Sequence, residues 1–181
     1  MARVAPPGPA TQPRHSGTDD VKRTDGIDLR EFSCPVTVEE LHRTRCAELP
    51  IACGVYVVLH LRTPGPVFLP TSSAGWFKGK DPSYPADVVK ASWVSCATVV
   101  YVGKTVSKKG LRGRVRALVD FAFGKPVGDR GGRLLWHLMH WEQLQVLWRE
   151  YPAARVDAME TSLIATFRAV HDARPFANMV K

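Results

Sequence analysis

T-V-V-Y-V-G-K-T-V-S-K-K-G-L-R-G-R-V-R, running from Thr98 to Arg116, decides how this chain is read. Thr98 to Val102 are β-branched or aromatic, side chains that fit a pleated, half-buried surface and so predict a strand. Gly103 is expected to end that strand, because glycine tolerates backbone angles closed to other residues. After it come Lys104, Lys108, Lys109, Arg112, Arg114 and Arg116, with no acidic residue among them. An apolar strand that empties into six cations presents positive charge at a fixed place. The partner this implies is a polyanion, with phosphate the usual one.

Downstream, Leu111, Val115, Leu118, Val119 and Ala122 recur at three-to-four spacing and predict a helix over 111–123, with Arg114 in its first turn. Upstream, Gly54 to Leu61 is nearly all apolar and predicts a strand buried on both faces. Leu144, Val146 and Trp148 alternate with polar Gln145 and Arg149, which predicts a third, half-buried strand. Helices are expected around them. Thr37 followed by Glu40 forms a capping box at the head of a helix read over Val36 to Glu48, ended by Pro50. Pro152 opens a last helix running to about His171, with Val156, Met159, Leu163, Ile164, Phe167 and Val170 as its apolar stripe. The expected fold is therefore α+β: a small central three-stranded, mainly antiparallel sheet flanked by helices.

Two stretches interrupt this plan. Residues 62–97, between the first two strands, hold five prolines and three glycines and read as a long insertion. It is either a recognition loop carrying Trp76, Phe77, Lys78 and Lys80, whose aromatic and basic neighbours suit base stacking and phosphate contact, or a surface elaboration without a partner. Residues 1–33 read as a tail, since Met1 to about Gly26 is rich in Pro, Gly, Ser, Thr and Asp and has the composition of disordered chain. The folded domain is then 34–181. Lys125 to Gly132 reads as a turn-rich loop, followed by a short helix over Arg133 to His140. His137 and His140 share a helix face as a metal pair would, but no third ligand stands at a recognisable spacing, and packing beside Trp136 and Trp141 is the preferred reading.

The 181 residues suit one domain with extra chain, and 45% hydrophobic content supports an ordinary core. Net charge is +8, and from Thr98 onward 14 Lys and Arg stand against 7 Asp and Glu, so nearly all of the excess lies in that half. Cys34, Cys46, Cys53 and Cys96 form no C-x-x-C pair, which argues against a zinc ribbon. No apolar run suits a leader or a membrane span, so a cytosolic protein with reduced thiols is expected.

Tyr101-Val102-Gly103 resembles the second half of the GIY-YIG nuclease signature, and Gly54-Val55-Tyr56 resembles the first half. Leu111-Arg-Gly-Arg114-Val115 is similar to the family's Leu-x-x-Arg-apolar pattern, with Arg112 as the alternative arginine. Glu160, followed by Leu163, Ile164, Pro175, Phe176 and Asn178, is similar to the family's glutamate and its distal proline–apolar–asparagine run. The chain departs from the pattern at Leu118, where some members carry histidine or tyrosine, and in its long insertion. The resemblance spans Gly54 to Asn178. It implies hydrolysis of phosphodiester bonds in DNA with one divalent metal, Mg²⁺ or Mn²⁺.

The chemistry asks for these residue types. A hard cation takes oxygen ligands, one or two of them carboxylates, and Glu160 is the candidate. A guanidinium gives phosphate two parallel hydrogen bonds, which Arg114 can supply. A phenol near cations ionises more readily, so Tyr56 or Tyr101 can orient or deprotonate the attacking water. Lys104, Lys108, Lys109, Arg112 and Arg116 are the candidate DNA contacts, and Asn178 is placed with them as a residue that holds the site together. Cutting both strands with one site per chain calls for a dimer or a second encounter. The alternative is a non-catalytic nucleic-acid-binding module on the same fold, or an α+β domain whose tripeptides are coincidental.

Overall fold

The computed structural model describes residues 23–61, 65–128 and 131–179. Of the tail expected over residues 1–33, Met1 to Lys22 lie outside them. The described residues form an α+β fold built on a four-stranded antiparallel sheet and a two-stranded hairpin. The sheet contains the three expected strands: β4 (Gly54–Leu59), β5 (Val99–Thr105) and β6 (Gln145–Glu150). It also has an edge strand, β3 (Val36–Thr37), that the sequence reading had put inside a helix. The spatial order is β3-β6-β4-β5.

β4 is the centre of the molecule, and all six of its residues are buried. Alternate side chains leave its two faces. Tyr56 and Val58 enter one core with Val100, helix α3 (Gly110–Ala122), helix α1 (Val38–Arg43) and the 3₁₀ turn Arg133–His137. Val57 and Leu59 enter a second core with Val102, Leu147 and Phe167 of helix α4 (Ala153–His171). The all-apolar strand is thus explained: both faces are covered. Among the described residues no helix is long and apolar enough to cross a membrane.

Several expectations need correction. Gly103 does not end its strand, which continues through Lys104 to Thr105. Gly103 lies directly across from Tyr56, and a β-carbon there would sit 2.6 Å from the Tyr56 hydroxyl and 2.7 Å from Cε1. The glycine is needed because the ring of its cross-strand neighbour lies over it, not because the backbone turns. α1 is shorter than Val36–Glu48. Val36 and Thr37 pair with Val146 and Gln145, and the Thr37 hydroxyl accepts from the Glu40 amide at 3.1 Å, so the capping box is present. Arg45 and Cys46 then take positive φ, which ends the helix before Pro50. Arg133–His137 is 3₁₀ rather than α, and Val170 is 56% exposed instead of completing the stripe of α4.

Part of the assigned tail is folded. β1 (Arg23–Thr24) and β2 (Ile27–Asp28) join through Asp25-Gly26, both at positive φ, the residue pair that tight hairpins favour. Ile27 and Leu29 are buried in the second core. The Asp25 carboxylate accepts from the amides of Thr98 (2.9 Å) and Val99 (2.6 Å) and lies 2.8 Å from His171 Nε2. Further along β5, the Ala177 amide donates to Val100 O (2.8 Å), and the Asn178 side chain both accepts from and donates to the Val102 backbone, each at 2.8 Å. The free edge of β5 is therefore covered from its start to Val102, which limits pairing with another chain along that stretch.

Candidate active site

Six separate parts of the chain line one cleft of about 640 Å³, four of them carrying residues singled out from the sequence or lying close beside them. β5 supplies Tyr101 and Lys104, α3 supplies Arg114, α4 supplies Glu160, and the segment after α4 supplies Arg174 and Asn178. Tyr101 and Lys104, three apart, leave opposite faces of β5, so the cleft lies across the edge of that strand, and the short link from β5 to α3 brings Arg114 to it. α4 crosses the other face of the sheet edge and turns Glu160 inward, leaving its side chain 20% exposed. Glu160 is therefore not a solvated helix glutamate.

Lys104 on the cleft wall forms an ion-pair fork with Glu160, which also lines the cleft, and with Asp157 just outside it. Lys104 Nζ lies 2.7 Å from Glu160 Oε2 and 2.9 Å from Asp157 Oδ1. The hydrogen bonds to Glu160 and then Asp157 hold the Lys104 proton more tightly than an ordinary lysine does, against a smaller opposing effect of burial. Asp157 and Glu160 stand three apart on α4, so they share a helix face. Asp157 was not singled out from the sequence, although that spacing was readable. This is a set of oxygen donors already gathered around one positive charge. It fits a hard divalent cation, which takes one or two carboxylates and completes its shell with water and phosphate. Among the described residues no group of three or more His, Cys, Asp or Glu gathers at one place.

The other wall is set by Gly131. A β-carbon there would lie 2.8 Å from Arg114 Nη2 and closer still to the Tyr101 hydroxyl. Both polar groups therefore press against one point on the loop, which only a residue without a side chain can occupy. Tyr101 is 6% exposed and lines the cleft. Tyr56 is fully buried and does not line it; its ring meets the Tyr101 ring edge-on at 5.9 Å, behind Gly103. The two phenols are neighbours, but only Tyr101 reaches the cleft.

The expected basic patch divides. Two residues along a helix turn the direction by about 200°, so Arg116 and Arg112 leave α3 on the side opposite Arg114. Lys108, Lys109, Arg112 and Arg116 line a separate concavity of about 540 Å³. Arg112 donates to Leu49 O at 2.7 Å and Ala47 O at 3.1 Å, fastening the chain after α1. Arg116 lies 3.7 Å from Asp120. In the cleft their place is taken by Arg133, at the head of the 3₁₀ turn, and Arg174, in the irregular segment after α4, neither of which was singled out from the sequence. Asn178 lines the cleft, but its amide is engaged with Val102.

His137 is fully buried. The Tyr84 amide donates to its Nε2 at 3.1 Å, so Nδ1 carries the proton, with Leu69 O as its acceptor at 3.3 Å. Both ring nitrogens are engaged in packing the insertion, and His140 is exposed, so the pair forms no metal site. Compared with protein-family models, curated proteins and solved structures, the chain gives no match.

Proposed function

We propose that the chain is a metal-dependent DNA endonuclease of the GIY-YIG type. One observation carries the reading: Tyr101, Lys104, Arg114 and Glu160, spread over three elements, face one cleft beside the edge of the sheet. In this reading Arg114 holds the scissile phosphate through paired guanidinium hydrogen bonds. Glu160, with Asp157 beside it, holds Mg²⁺ or Mn²⁺, which when bound offsets negative charge on the phosphoryl oxygens. Lys104 holds the two carboxylates close together through its ammonium, with Glu160 on the cleft wall and Asp157 beside it.

Tyr101, next to Arg114 on the cleft wall, orients the attacking water through its hydroxyl oxygen. The water oxygen bonds to phosphorus as the bond to the leaving ribose oxygen breaks. The water's proton passes to the Tyr101 oxygen or to solvent, and solvent returns one to the leaving group. Tyr56 serves as the packed support that fixes the Tyr101 ring. Asn178 fixes the strand that carries Tyr101, and Arg133 and Arg174 extend the phosphate-binding wall.

The test is nicking of supercoiled plasmid with Mg²⁺, by the wild-type chain and by Glu160→Gln. Nicking that the variant loses supports the enzyme; equal nicking by both refutes it. The second reading, a binding module without chemistry, draws on the Lys104 ammonium occupying the Glu160 carboxylate. It predicts retardation of DNA by both proteins and cleavage by neither.

A further inference from the structure

The insertion over 65–97 forms part of the cleft wall. It is tied to the body along its length: Phe68 bridges to Leu138, the Leu69 amide donates to His137 O (2.6 Å), Ser73 to Trp136 O (3.0 Å), Gly75 to Phe121 O (2.8 Å), and Met139 donates back to Val67 O (2.8 Å). Trp93 packs edge-on against Phe176 at 5.2 Å and Phe68 at 5.8 Å. This segment places Tyr84 in the cleft. The amide of Tyr84 is fixed by the buried His137, its ring stands edge-on to that imidazole at 6.5 Å, and the residue is partly buried against the core.

A held phenol that lines a cleft is suited to one kind of contact. An aromatic ring on a rigid wall stacks at little entropic cost, and every nucleobase has a face to offer. The cations needed for the attached phosphates, Arg114, Arg133 and Arg174, line the same cleft. In a duplex the base faces are covered by their neighbours, so a ring recessed in a cleft reaches a base only after that base has left the stack. We propose that Tyr84 makes a nucleobase subsite beside the phosphate site, and that the preferred occupant is an unpaired nucleotide in a single strand, flap or bulge rather than continuous duplex. The proposal extends the nuclease reading by naming its substrate class, but it concerns binding alone.

The experiment measures equilibrium binding of the full chain, in EDTA so that no cleavage occurs, to a fluorescein-labelled single strand and to the blunt duplex of the same sequence. Wild type should prefer the single strand. Tyr84→Ala should weaken single-strand binding by roughly 5- to 100-fold, the range for loss of one stacked base, and leave duplex binding within about twofold. Tyr84→Phe should retain the preference, because the stacking face remains. The backbone amide contact survives in both variants; Tyr84→Phe should melt with the wild type, while Tyr84→Ala loses the ring's packing and should melt lower but remain folded at the assay temperature, which circular dichroism checks. Unchanged single-strand affinity in a folded Tyr84→Ala overturns the proposal. Loss by Tyr84→Phe equal to that by Tyr84→Ala also overturns it, since a hydroxyl contact would then be responsible. A chain that shows the Tyr84-dependent preference yet never nicks with Mg²⁺ retains the subsite and loses the nuclease.

Discussion

Replacing Gly103 by Ala is a small change with a sign that geometry decides. Gly103 does not have positive φ, so its backbone accepts alanine. At such a position Gly→Ala ordinarily stabilises by about 0.4–1 kcal/mol through the unfolded state. Here the new methyl would meet the Tyr56 ring, with the hydroxyl at 2.6 Å and Cε1 at 2.7 Å. The ring is fully buried and braced by Tyr101, so it cannot swing clear. Overpacking of this kind costs about 1–3 kcal/mol. At roughly 2–4 °C per kcal/mol for a chain of this size, Tm should fall by about 2–12 °C.

Urea unfolding followed by tryptophan fluorescence gives the free energy, and a double-mutant cycle identifies the cause. In a Tyr56→Leu background the same Gly103→Ala change should become neutral or stabilising, a coupling of about 1–3 kcal/mol. If Gly103→Ala is as stable as wild type, or if its cost is the same with and without the Tyr56 ring, the explanation of the glycine fails.

Arg112→Ala should destabilise by about 1.5–3 kcal/mol, having lost charge-assisted bonds to two carbonyls, yet keep plasmid nicking near wild type; Arg114→Ala should do the reverse, slowing nicking roughly 100-fold or more with little change in melting. Asn178→Ala leaves the Val102 amide and carbonyl unsatisfied and should cost about 1–3 kcal/mol, read by urea unfolding, with concentration-dependent light scattering from the opened strand edge. Burial pushes the Cys46 thiol up to about 12, so a thiol reagent at pH 8 should label Cys34 and Cys96 in the folded chain and reach Cys46 only after unfolding. Because the unfolded thiol ionises near 9.0, Cys46 should lower stability as pH rises above that value, with the loss levelling off near 12.

The parts of the fold that could be read from sequence were those whose periodicity is set by burial. β4 is apolar throughout because it is covered on both faces, and α3 repeats its apolar residues because one side faces the sheet. β3 could not be read, since two residues carry no period and its pairing with Val146 is distant in sequence. The Asp25-Gly26 hairpin had a readable turn signal that the tail's composition masked.

In the site, Lys104 and Arg114 follow from one local stretch, and Glu160 from its place on α4. Tyr56 was not distinguishable from Tyr101, because which phenol reaches the cleft depends on a cross-strand glycine. Tyr84 and Arg174 come from irregular chain, where spacing says nothing about direction, and Arg133 opens a five-residue 3₁₀ turn too short to show a period.

The fastening of β5 has a consequence for biosynthesis. The strand that bears Tyr101 and Lys104 receives its clasp from Asn178, whose partner Val102 was made 76 residues earlier. On the ribosome, that border stays unsealed while α3, β6 and α4 are still being added. Any nuclease activity should therefore be dormant in nascent chains and switch on only after the Asn178 segment has emerged.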